Sequence, residues 1–92
     1  MIIYAEVECM MYEGRSLKNK RSVLKRLLSK LQNNFNVAVA ELDYQDLWQR
    51  MKIGIVTVSE NATHAEQIIQ AAIREIDSFV ELERTITNIE RR

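Results

Sequence analysis

Residues Ser16–Phe35, SLKNKRSVLKRLLSKLQNNF, carry the pattern that most limits the architecture of this chain. Leu17, Leu24, Leu27, Leu28, Leu31 and Phe35 recur at three- and four-residue spacing. At roughly 100° per residue they share one arc of an α-helix, with Val23 at its edge. Lys18, Arg21, Lys25, Arg26 and Lys30 fall on or beside the opposite arc. Ser16 is placed as the N-cap, its hydroxyl accepting from a first-turn N–H. Asn33 and Asn34 are placed as the stop, because Asn tolerates the left-handed conformation of a C-terminal cap.

Upstream of this helix, Ile2–Tyr12 alternates with period two, which predicts a strand. Ile3, Ala5, Val7, Cys9 and Met11 are expected to face the core. Tyr4, Glu6, Glu8, Met10 and Tyr12 are expected on the other sheet face. Glu13-Gly14-Arg15 is a short loop without P-loop spacing. Downstream, Asn36–Leu42 reads as a second strand, Asp43–Leu47 as a turn and Gln49–Ser59 as a third strand. From Ile53 onward that third strand is apolar on both faces, which places it centrally with its second face partly covered. Gly54 marks a bulge or a close approach. Asn61–Glu81 reads as a second helix with a capping box at Thr63–Glu66. Leu82–Ile89 is a β-branched final strand, and Glu90-Arg91-Arg92 a frayed tail. The β-α-β-β-α-β order predicts an α+β, ferredoxin-like domain spanning residues 1–92. Its four-stranded antiparallel sheet has both helices on one face.

The 92 residues allow one core, and an apolar fraction of 47% argues against disorder. The single Cys9 excludes an intramolecular disulfide and a cysteine metal cluster. No apolar run reaches membrane-spanning length and no signal-peptide pattern opens the chain, so a cytoplasmic setting without membrane partners is expected. Net charge is zero, but seven of the thirteen basic residues lie between Arg15 and Lys30 with no acid among them. The local field around the first helix therefore says more about partners than the overall charge does.

Lys20 is the anomaly in that helix, because it projects into the leucine arc. Arg15, Lys18, Lys20 and Arg21 also crowd the positive end of the helix dipole, forgoing or opposing about 0.3–1 kcal/mol. Two readings stand side by side. The cations are solvated and Lys20 snorkels outward, or Arg15, Ser16, Lys18, Lys20 and Arg21 form an anion site extended by Lys25 and Arg26. On the second reading, Lys20→Met preserves or raises stability while weakening binding. His64 lacks ligand partners, and Glu41, Asp43 and Asp46 lack EF-hand spacing, so neither a metal nor any other cofactor is expected.

SLKNKRSVLKRLLSKL followed by FNVAVAELDYQDLWQRMKIGIVTVS resembles the YlxP-like family of small bacterial proteins, across essentially the whole chain. The resemblance rests on the S-L-K-x-K-R helix start, on F-N-V-x-V-A-E and on D-x-W-Q-R before an apolar strand. It implies a ferredoxin-like fold. Through the family's frequent gene neighbours in antitermination, translation initiation and ribosome maturation, it also implies an RNA- or ribosome-related role. It supplies no catalytic residues.

The resulting expectation is a non-enzymatic accessory protein that contacts RNA or a ribonucleoprotein through the basic helix. A second expectation is self-association through the free sheet face, giving a homo-oligomer and most simply a dimer. A small phosphate-ester or acyl-phosphate hydrolase using Arg15 and Lys20 ranks last, since no base or nucleophile accompanies them.

Overall fold

The computed structural model of the chain describes residues 1–13 and 16–92. The elements run β1 (Ile2–Met11), α1 (Leu17–Asn34), β2 (Ala38–Asp43), β3 (Arg50–Val58), α2 (Ala62–Asp77) and β4 (Leu82–Arg91). The sheet order is β2-β3-β1-β4, and every neighbouring pair is antiparallel. This is the ferredoxin-like α+β arrangement.

Period-two alternation sets which side of β1 and β3 is buried. Ile3, Ala5, Val7, Cys9 and Met11 of β1 and Met51, Ile53, Ile55 and Thr57 of β3 are all buried. They meet Val23, Leu24, Leu27 and Leu31 of α1 and Ala65, Ile69, Ala72, Ile73 and Ile76 of α2. Thr57 keeps its hydroxyl satisfied by donating to the Asn36 carbonyl at 2.7 Å, as a buried polar group must. Neighbouring residues in the sequence point to the opposite, open face, where Tyr4, Glu6, Glu8, Met10, Lys52 and Val56 are half-buried.

Several element ends differ from the sequence reading. Helix α1 does not close on a left-handed Asn. Phe35 is the C-cap in an extended conformation, and its N–H reaches the Leu31 carbonyl. That lets the Phe35 ring turn back onto the core, a hydrophobic gain that a solvated Asn cap lacks. β2 starts at Ala38 rather than Asn36, because Asn36 is held by Thr57 and the Val37 N–H donates to the Phe35 carbonyl. Asn61, not a Thr63 box, caps α2. Its side-chain oxygen accepts from the His64 N–H at 3.1 Å. The helix ends at Asp77, where the Ser78 hydroxyl takes the Glu75 carbonyl at 2.6 Å and competes with the helical ladder.

The expected frayed tail is also corrected. β4 continues to Arg91, and Arg92 exchanges both backbone hydrogen bonds with Ile2, at 2.7 and 2.9 Å. The start of β1 has unpaired N–H and C=O groups on that side, and the tail satisfies them. Gly54 does mark a close approach: a Cβ there lies 2.9 Å from Cδ1 of Leu42, whose side chain crosses it. The bulges sit elsewhere, between Glu8 and Cys9 against β4 and between Glu41 and Asp43 against β3.

Candidate nucleic-acid interface

The Ser16 hydroxyl accepts from the Asn19 N–H at 3.2 Å and donates to the Asn19 side-chain oxygen at 2.8 Å. The N-cap thus forms as its residue type predicts, and Ser16 is committed to it. The first turn of α1 contains no acid. Lys18, Arg21 and Lys25 lie along one exposed stripe, three and four residues apart. Among the described residues none of the three has an ion-pair partner. Beside the stripe runs an open groove of ≈ 360 Å³, with Leu24 and Leu28 as its apolar floor and Arg21, Lys25, Ser29 and Gln32 around it.

Lys20 does not join them. Its side chain is 1% exposed. The ammonium donates to the Tyr44 carbonyl at 2.6 Å and lies 3.1 Å from Oε2 of Glu41. The Glu41 contact is coulombic rather than an aligned hydrogen bond, and Oε2 has no hydrogen-bond partner among the described residues. Neither snorkelling nor a solvent-facing anion site describes this lysine. It ties the first turn of α1 to the end of β2, and the acyl-phosphate reading loses it as a free cation. The inward direction of Glu41 was legible, though not that Lys20 is the cation it meets. Glu41 shares strand parity with Val37 and Val39, both packed against the core, so an acid at that position faces inward and needs a cation.

Arg26 is also engaged. It pairs with Glu81 and sits 5.3 Å from the Phe79 ring centroid, with Lys30 on the same ring at 5.5 Å. The hydrogen bond from Arg26 holds the Glu81 carboxyl below its ordinary value. Arg15 lies outside the described residues. Of the seven expected site residues, the structure brings Lys18, Arg21 and Lys25 together as unpaired cations and assigns Ser16, Lys20 and Arg26 to structural contacts.

Sequence reasoning missed Tyr44. Its φ of 65° places it in the left-handed region, which a bulky residue adopts only at a cost. Its carbonyl accepts from both Lys20 Nζ and the Leu47 N–H, and its own N–H donates to Asp43 at 2.7 Å. The Arg50 guanidinium lies 4.1 Å from the Tyr44 ring centroid and donates to its hydroxyl at 3.1 Å and to Glu8 at 2.9 Å. Asn or Asp at position 44 would have signalled such a turn. Tyr gives no such signal.

The chemistry on offer is binding by charge. Burial pushes the Cys9 thiol up to about 12, which leaves it protonated and unreactive at neutral pH. His64 is exposed. Among the described residues, no three His, Cys, Asp or Glu side chains converge as a metal site, and no helix is long and apolar enough to cross a membrane.

The family model described as "Protein of unknown function (DUF503)" matches residues 2–89. The chain is also 51% identical over 90 residues to the uncharacterized protein YlxP of Bacillus subtilis (strain 168), covering 98% of each. A match over nearly the whole chain, at this identity, places it in the DUF503 family.

Proposed function

We propose that this chain is a non-enzymatic accessory protein that contacts RNA, free or within a ribonucleoprotein, through the outer face of α1. The observation that carries the reading is the row Lys18, Arg21 and Lys25, exposed on a helix without acids and unpaired among the described residues. The rise of about 1.5 Å per residue spreads the row over about 10 Å of helix. That suits a short run of backbone phosphates and gives little purchase on base edges. The translation-related setting implied by the family resemblance, and a cytoplasmic location, go with this reading.

Salt dependence tests it. Three cations meeting phosphates on single-stranded RNA give a log–log slope of about −2, by the rule of about 0.7 per phosphate. Lys18→Glu with Arg21→Glu abolishes binding. Both side chains are exposed, so each change shifts stability by about 0.5 kcal/mol or less. Binding that survives the double reversal with its slope intact would refute the proposal.

A further inference from the structure

The open face of the sheet is divided. At one end lies a largely apolar trough of ≈ 470 Å³ bordered by Ile2, Tyr4, Ala38, Ala40, Leu42 and Val56, with Gly54 in its lining and Arg92, paired with Glu90, at its rim. At the other end the charges come in opposed pairs. Lys52 lies 3.1 Å from Glu6, and Arg50 lies 2.9 Å from Glu8. Among the described residues no helix or loop covers this face. Its cations are matched by acids, so it offers a polyanion little attraction. Its occupant must be apolar at one end and carry balanced charge at the other.

We infer that the occupant is a second copy of this chain, stacked sheet to sheet about a twofold axis that runs along the strands between β1 and β3. The register supports this arrangement. On the open face Ile2 stands level with Val58, Tyr4 with Val56, Glu6 with Gly54 and Glu8 with Lys52. The rotation lays β1 of each copy over β3 of the other without changing the level along the strand. Ile2 then meets Val58, Tyr4 meets Val56, and Glu8 meets Lys52, each pair occurring twice. An axis across the middle of the strands would instead set the apolar end on the charged end. Such an isologous contact closes at two copies, with the sheets aligned within about 30°.

The area is sufficient. Strands of 10, 6, 9 and 10 residues, at about 3.4 Å per residue and about 4.8 Å apart, give a face of about 600 Å² before side-chain relief is counted. Two copies thus bury about 1,200 Å², the lower end of stable specific interfaces. The contact predicted is therefore a micromolar dimer. This proposal is independent of RNA binding at α1, which lies on the other side of the sheet.

Light scattering across a dilution series through the micromolar range tests it. The wild-type chain should pass from dimer mass to monomer mass on dilution. Val56→Glu should be monomeric throughout, with its far-UV circular dichroism and unfolding midpoint near those of the wild type. Lys52→Glu should raise the dimer Kd by about tenfold or more by opposing like charges, and adding Glu8→Lys should restore it. If Val56→Glu does not fold, the charge pair carries the test alone. A wild-type monomer at every concentration overturns the inference, as does a dimer that survives Lys52→Glu unchanged. Failure of the double swap to restore association overturns the proposed axis.

Discussion

The outer face of α1 and the open face of the sheet are both solvent-facing surfaces of a chain with no net charge, and they use charge in opposite ways. On α1, Lys18, Arg21 and Lys25 stand in a row without acids. On the sheet, Lys52 and Arg50 are set against Glu6 and Glu8. The first surface keeps its field, and the second cancels it. Zero net charge therefore describes the second surface and not the first, and the partner each surface suits follows from local pairing rather than composition.

Lys20 is where the comparison breaks most sharply, because a cation from the α1 cluster has adopted the paired behaviour of the sheet. Removing one partner of a buried ion pair costs about 3–5 kcal/mol. Glu41 keeps some contact with solvent, with 18% of its side chain exposed, so the lower end applies. Lys20→Met should destabilise the domain by about 3 kcal/mol in urea melts, the reverse of the gain expected from the leucine arc alone. Adding Glu41→Leu should recover most of the loss, since an apolar pair can replace a buried ionic one. RNA affinity and its salt slope should be unchanged in the folded Lys20→Met protein. A single variant as stable as the wild type would show that the pair contributes nothing.

Gly54 sharpens the sheet side of the comparison with a smaller effect. A Cβ there meets the end of the Leu42 side chain, which is 42% exposed and free to swing away. Gly54→Ala should therefore cost about 1 kcal/mol or less, near the bottom of the range for overpacking. It should leave the α1 row untouched while displacing Leu42 within the trough. Leu42→Ala in the same chain should relieve the clash. A loss well above 1 kcal/mol would mean that Leu42 is held in place by more than its packing on Gly54.

The smallest effect expected is on pH dependence. Glu6 is held below its ordinary value by the hydrogen bond from Tyr4, then by Lys52. Asp77 is held down by Arg84, and Glu81 by Arg26. Each binds fewer protons folded than unfolded, so each adds stability that is present above its unfolded pKa and lost as pH falls through the lower folded value. Stability should stay level from neutral pH to about 5 and decline below about 4. Glu6→Gln should flatten that decline slightly, and Asp77→Asn likewise. Stability that rises on acidification would contradict the assignment.

Much of this protein was legible in residue spacing. The alternation in Ile3–Met11 and the leucine spacing of α1 predict which side chains are buried, because both patterns repeat along a single element and need no knowledge of its neighbours. Ser16 was readable as a cap from its own residue type, whereas Gly54 left a bulge and a close approach open until Leu42 of β2 was seen to cross it. Lys18, Arg21 and Lys25 fall on the exposed arc by spacing alone.

Tertiary structure decided the rest. Lys20 and Glu41 meet only because α1 packs beside β2, and Arg26 finds Glu81 across 55 residues of chain. The tail after Ile89 joins the sheet because Ile2 presents unpaired backbone groups beside it. Tyr44 holds its left-handed conformation while its carbonyl takes Lys20 and its ring carries Arg50. Periodicity along a chain determines which way a residue faces. Which partner it meets there depends on elements brought together from distant parts of the chain, and so does the division of the cations between free and paired.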